Sequence, residues 1–259
     1  MLQLQMIERV KQLSIQTDEI SAVLMYGSFI KGEGDQFSDI EFYIFLNNKQ
    51  PLNKSEWISQ ISPVDLFFVN EFGTEVAIFN NMIRGEFHFH PVTEIHIIKS
   101  WEGFISFEYK EQMNLVDKDG KLSEVLNSIL PPLRPQRNTV SNKESIAMNF
   151  LNNLLFEKNL LLRREFAHAH QLFVFIQKYI LWMIRLHTGM DEHWESPTKS
   201  LENDISKEWY EKYMKCVPEL NESSLNKSFR DVIEIADELF KELRIPNNIQ
   251  IVLSKIKEM

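Results

Sequence analysis

Met25-Tyr-Gly-Ser-Phe-Ile-Lys-Gly-Glu-Gly-Asp-Gln-Phe-Ser-Asp-Ile-Glu-Phe-Tyr-Ile-Phe45 joins two apolar runs through a small-residue turn and a polar loop. The turn is Gly27-Ser28, and the loop ends where Asp39 and Glu41 alternate with Ile40, Phe42 and Ile44. Successive residues of a strand point to opposite faces, so the two carboxylates share one side and the apolar residues the other. Two like charges so close repel each other. A hard divalent cation relieves that repulsion, and Mg²⁺ typically takes one or two carboxylates together with substrate phosphates. The turn upstream offers backbone N–H groups and the Ser28 hydroxyl to such a phosphate. These features point to metal-assisted phosphoryl or nucleotidyl transfer.

Composition narrows the reading. The chain has 259 residues, 44 % of them hydrophobic and 19 of them Phe, enough for a sizeable core. A formal net charge of −9 argues against a nucleic-acid backbone as the main partner, which would call for a basic stripe. It favours a metal-bound nucleotide over a bare phosphate. A single cysteine, Cys216, excludes an internal disulfide and a cysteine-built zinc site. The first residues lack a basic segment followed by an apolar one, so no signal peptide is expected. No run is long and apolar enough for a membrane span. The expectation is a cytoplasmic protein without a membrane partner.

Outward from the opening stretch, Ile7, Val10 and Leu13 recur at helical spacing, and residues 53–61 suit a second helix. Residues 20–26, 39–46, 64–69, 74–79 and 84–90 read as strands, with a short strand or loop at 95–98. In the segment 84–90, Arg84, Glu86, His88 and His90 share one face, and Phe87 and Phe89 the other. Pro131-Pro-Leu-Arg-Pro135 is the clearest break. Beyond it, helical patterns run over 143–188, 206–216, 225–243 and 247–257. The fold expected is α+β: a catalytic domain over 1–105 with a mixed β-sheet flanked by helices, then a helical bundle over 106–259 for substrate binding or dimerisation.

Glu86 is the candidate third acid, either completing a metal site with Asp39 and Glu41 or taking a proton from an acceptor hydroxyl. Its structural alternative is an ion pair with Arg84, and Glu75 is a rival acid. Gly27, Ser28 and Lys31 are the candidates for holding the nucleotide's phosphates: Gly27 by backbone freedom, Ser28 by its hydroxyl, Lys31 by its charge. His88 and His90 suit pocket lining or plain structure. Asp117-Lys-Asp-Gly120 starts like a calcium loop but lacks the later ligands, so it reads as a turn.

Gly-Ser followed by Asp-x-Glu on a strand resembles the signature of the polymerase-β-like nucleotidyltransferase superfamily. The run 25–45, with Gly73-Thr-Glu-Val-Ala-Ile-Phe79 and Arg84-Gly-Glu-Phe-His-Phe89, resembles the lincosamide nucleotidyltransferases of the two-domain kind. The resemblance implies transfer of a nucleoside monophosphate from a nucleoside triphosphate, ATP or another, to a hydroxyl of a lincosamide antibiotic, with Mg²⁺ as cofactor. It also implies a resistance enzyme, a general base at Glu86, and a homodimer. The competing readings are an aminoglycoside acceptor, or an antitoxin-like nucleotidyltransferase acting on a protein or RNA partner.

Overall fold

Alternating apolar segments decide the architecture of the computed structural model, which describes residues 1–47 and 51–259. In chain order the first elements are α1 (Leu2–Gln16), β1 (Ile20–Tyr26), β2 (Ile40–Leu46), α2 (Lys54–Ser59), β3 (Val64–Val69), β4 (Glu75–Phe79) and β5 (Arg84–Pro91). A 3₁₀ helix (Val92–Trp101), α3 (Lys110–Met113), β6 (Asn114–Asp117) and α4 (Lys121–Ser128) follow. The strands form one sheet in the order β3-β4-β5-β2-β1-β6. The β2–β5 pair is parallel and the other pairs are antiparallel, so the sheet is mixed.

Each face of the sheet has its own core. Met6, Val10 and Leu13 of α1 and Trp57 and Ile58 of α2 pack on Phe42, Phe79 and Phe87. Burying each such aromatic stabilises the fold by about 1.5–3 kcal/mol. On the other face Ile95, Ile98, Leu122 and Leu126 pack on Leu24 and Phe45. The expected strand or loop at 95–98 is a 3₁₀ helix. Its three-residue period puts Ile95 and Ile98 on one side, where both are buried.

Two compact units divide the chain at Pro135, Met1–Pro135 and Gln136–Met259. The sheet-bearing unit therefore runs past the expected boundary at 105, because β6 pairs with β1 and α4 packs on the sheet. Asp117 fixes that corner: its carboxylate accepts from the N–H groups of Leu122 (3.3 Å) and Ser123 (2.8 Å) at the start of α4. Asp119 accepts from the Ser21 hydroxyl at 2.6 Å. The Asp-Lys-Asp-Gly segment is thus a turn with capping duty.

The second unit is helical: α5 (Val140–Leu162), α6 (Phe166–Thr188), α7 (Leu201–Asp204), α8 (Lys207–Met214), α9 (Glu222–Glu242) and α10 (Asn247–Glu258). The helical pattern over 143–188 is two helices, parted at Arg163–Glu165. Thr139, Ser206 and Asn221 cap α5, α8 and α9 through their side-chain oxygens. Phe150, Leu154, Phe173, Ile180, Val232 and Phe240 centre one core. Cys216 is buried, and burial pushes its thiol up to about 12. Among the described residues no helix is long and apolar enough to cross a membrane.

Two buried charged residues punctuate this core. Arg185, fully buried, ties down the chain after α6: Nε donates to the Pro197 carbonyl at 3.0 Å, Nη1 to the Met190 carbonyl at 2.9 Å and Nη2 to the Lys199 carbonyl at 2.9 Å. Nη1 also reaches the Asp204 carboxylate at 2.8 Å, which His193 Nδ1 meets at 2.6 Å. Burial alone would push the Asp204 carboxyl up, but the bonds from His193 and Arg185 outweigh it and hold the group below its usual range. Glu157 on α5 is the opposite case. It is fully buried, and neither carboxyl oxygen has a hydrogen-bond partner. Desolvation pushes its pKa up to about 8.

Both residues yield predictions. Arg185→Met leaves the Asp204 carboxylate with His193 alone and takes the guanidinium donor from three carbonyls, and the loss should be about 3–5 kcal/mol, read as a lower midpoint in chemical denaturation. For Glu157, the folded state keeps a proton that the unfolded chain releases. Its contribution is therefore intact below the ordinary carboxyl range and is lost as pH rises toward about 8. Glu157→Leu is expected to raise stability near the top of that window by about 2 kcal/mol, with the gain shrinking toward acid. A gain independent of pH would show that Glu157 is not the titrating group.

Candidate active site

The parallel pairing of β2 with β5 sets the site. Ile40 lies opposite Gly85, Glu41 opposite Glu86, Phe42 opposite Phe87 and Tyr43 opposite His88. On β1, Tyr26 is the register partner of Glu41. Tyr26, Glu41 and Glu86 therefore form one row across three strands, on the face opposite Phe42 and Phe87. Asp39 immediately precedes β2. Arg84 joins it to the row: Nη1 donates to Asp39 Oδ2 at 2.7 Å and Nη2 to Glu86 Oε1 at 2.9 Å. Burial alone would lower the Arg84 pKa, but these two bonds outweigh it and raise it, so the guanidinium stays charged.

The turn at the end of β1 presses on the second acid. Gly27 has φ +86°, a conformation L side chains rarely adopt, and a Cβ there would lie 1.7 Å from Glu41 Oε2. The positive φ calls for glycine, and a methyl there would have to displace the Glu41 carboxylate. The close approach expected of Gly27 to a phosphate is here an approach to the Glu41 carboxylate. Beyond it the loop closes on itself: the Ser28 carbonyl accepts from the N–H groups of Lys31 (3.2 Å) and Glu33 (3.0 Å). Ser28 is half-buried and Lys31 exposed. Gln3 of α1, itself buried, donates from Nε2 to the Gln36 carbonyl at 2.8 Å and so anchors the chain that leads to Asp39.

An aromatic floor lies beside the acids. His88 stacks on Tyr43 with centroids 4.3 Å apart and planes at 9°, and Tyr43 in turn meets Trp101 at 4.8 Å. The Tyr26 hydroxyl lies 2.9 Å from His88 Nε2. Burial, then the charges of Glu41 and Glu86, push the Tyr26 pKa up, so it remains a phenol beside His88. Burial holds the His88 pKa below its usual value against the pull of Glu86, so the ring is neutral. His88 is thus engaged on both sides, by Tyr26 and, at 3.4 Å, by Thr74 Oγ1.

The rival acid is elsewhere. Glu75 is the register partner of Phe87 and so lies on the opposite face, buried and ion-paired with Lys54 of α2. Of the expected residues, then, Gly27, Asp39, Glu41 and Glu86 converge, with Ser28 and Lys31 on the adjoining loop. Sequence reasoning gave no functional weight to Tyr26, and saw Arg84 only as a structural partner of Glu86. The alternation that placed Arg84 on the Glu86 face was the available signal. Three carboxylates with hard oxygen donors on one face suit a Mg²⁺ ion. Yet among the described residues no three His, Cys, Asp or Glu side chains are grouped as a ready-made metal site. The expected trio of Asp39, Glu41 and Glu86 is instead spanned by Arg84, which bonds the first and last.

Comparison with known proteins divides along the chain. Residues 8–89 match the family model "Polymerase beta, Nucleotidyltransferase", and residues 139–259 match "Lincosamide nucleotidyltransferase-like, C-terminal domain". No curated protein matches by sequence. Among solved structures, an aminoglycoside 6-adenyltransferase from Bacillus subtilis is 13 % identical, with 98 % of this chain and 97 % of that one covered and a TM-score of 0.46. With a nucleotidyltransferase domain carrying the acidic row and a lincosamide nucleotidyltransferase-like domain after it, the chain is a nucleotidyl transfer enzyme of the polymerase-β-like superfamily.

Proposed function

We propose that this enzyme moves a nucleoside monophosphate from a nucleoside triphosphate to a hydroxyl of a lincosamide antibiotic. The observation that carries the reading is the in-register placement of Glu41 beside Glu86, with Asp39 tied to Glu86 through Arg84. Asp39 and Glu41 would hold Mg²⁺, which when bound neutralises charge on the triphosphate. The Gly27-Ser28 turn, with Lys31, would steady the phosphates. Glu86 takes the proton of the acceptor hydroxyl, whose oxygen forms the new bond to the α-phosphorus. The bond from that phosphorus to the β-phosphate oxygen breaks, and pyrophosphate leaves. The chain contributes positioning and charge compensation rather than covalent chemistry.

The surface beyond Glu86 supports a partly apolar acceptor. Across the sheet Glu86 pairs with Val76, and Val76 with Phe68. Phe68 thus shares the face of Glu86, and it is 40 % exposed with its neighbour Leu66 at 50 %. Val76 itself is buried, so an acceptor whose hydroxyl rests on Glu86 would meet apolar surface at the exposed Phe68 and Leu66 beyond it. That suits a lincosamide better than a polycationic aminoglycoside. Resemblance to the two-domain enzymes carries a cytoplasmic homodimer as the working form.

Incubation of the protein with clindamycin, Mg²⁺ and the four nucleoside triphosphates is expected to add one nucleoside monophosphate to the drug, read by mass spectrometry. Asp39→Asn should abolish the gain, and Glu86→Gln should lower kcat by about 10²–10⁴-fold with a smaller change in KM. Absence of any product with clindamycin or with lincomycin refutes the acceptor. Gly27→Ala, which drives a methyl into Glu41, is expected to remove activity while far-UV circular dichroism stays that of the native fold. Full activity in that variant would show that the turn does not set the Glu41 carboxylate.

A further inference from the structure

Arg84 touches two of the three acids, and its place in the site goes beyond the ion pair foreseen from the sequence. Its fork donates to Asp39 at 2.7 Å and to Glu86 at 2.9 Å. Its position on β5 fixes this: Gly85, the next residue, sits opposite Ile40, so Arg84 is level with Asp39 and two residues from Glu86 on the same face. A planar guanidinium can hold two carboxylates at once, as a lysine cannot. The side chain is 39 % exposed, as is that of Asp39, so the fork is open to exchange and weakly held.

We infer that Arg84 is a built-in counter-ion, which holds Asp39 and Glu86 in place until a metal-bound nucleotide arrives and which must release Asp39 for that carboxylate to become a metal ligand. The inference rests on the reading of Asp39 as a metal ligand. Its release leaves the second arm on Glu86, which stays tied to β5 through the guanidinium. Two consequences follow from charge alone. A divalent cation without nucleotide meets competition from the guanidinium and repulsion from its charge, so it binds weakly. A metal with triphosphate brings negative charge on which the freed arm can close, so metal and nucleotide bind together more strongly than either alone.

Mn²⁺ binding, read by electron paramagnetic resonance on the full chain, tests this without any turnover. In the wild-type protein Mn²⁺ should bind weakly alone and more tightly with a non-hydrolysable nucleoside triphosphate analogue. In Arg84→Gln, Mn²⁺ alone should bind about tenfold tighter than to wild type, the equivalent of losing two exposed ion-pair arms, and the gain from nucleotide should shrink. Arg84→Lys keeps the charge without the fork and should bind Mn²⁺ about two- to threefold tighter; it decides the matter if Arg84→Gln does not fold. Unchanged or weaker Mn²⁺ binding in the variants, with the wild type loading normally beside nucleotide, overturns the counter-ion role and leaves the transfer reaction standing. No Mn²⁺ binding by the wild type even with nucleotide removes the metal assignment of Asp39, and the counter-ion role with it.

Discussion

The parallel pairing of β2 with β5 is the constraint on which the site depends. Side chains alternate along each strand, so a slip of one residue in this register would place Glu86 on the apolar face beside Phe42 and turn Phe87 toward the acids. The slip is prevented from below, not at the site itself. Phe42 and Phe87 stack at 5.7 Å, and Trp57 meets Phe87 edge-on at 6.4 Å. All three are buried. The apolar face holds the register and the polar face uses it.

Charge on the polar face is arranged with similar economy. Three carboxylates in one corner would repel one another. Arg84 offsets part of this, and Tyr26 and His88 close the row with a phenol and a neutral imidazole rather than with further charge. Gly27 lets the backbone come against Glu41, where any side chain would push the carboxylate away. The corner is therefore crowded by backbone and aromatic rings, with Arg84 bonded to Asp39 and Glu86 within it.

Much of this was legible because it is written in period-two patterns. Asp39 and Glu41 on one segment and Glu86 on another alternate with large apolar residues, so the polar side of each segment follows from the strand period. The face of Glu75 did not, because it depends on how β4 pairs with β5, and no local pattern specifies pairing. β6 escaped for a different reason: it is four residues long, lies at the sheet edge, and carries two polar residues among them. The helical patterns over 143–188 did not mark where the two long helices part, because the break at Arg163–Glu165 contains neither glycine nor proline. The closeness of Gly27 to Glu41 is a tertiary contact between a turn and a strand, and only its glycine hinted at it.

Cys216 has a practical side. The only thiol in the chain lies wholly buried in the helical core, and burial pushes its pKa up to about 12. Thiol reagents attack the thiolate, which at neutral pH is both scarce and out of reach here. The natural protein is therefore already a silent background for cysteine-directed probes. A single cysteine placed in the exposed 31–37 loop would carry a fluorophore or spin label alone, reporting on the neighbourhood of Asp39 without any native thiol having to be removed.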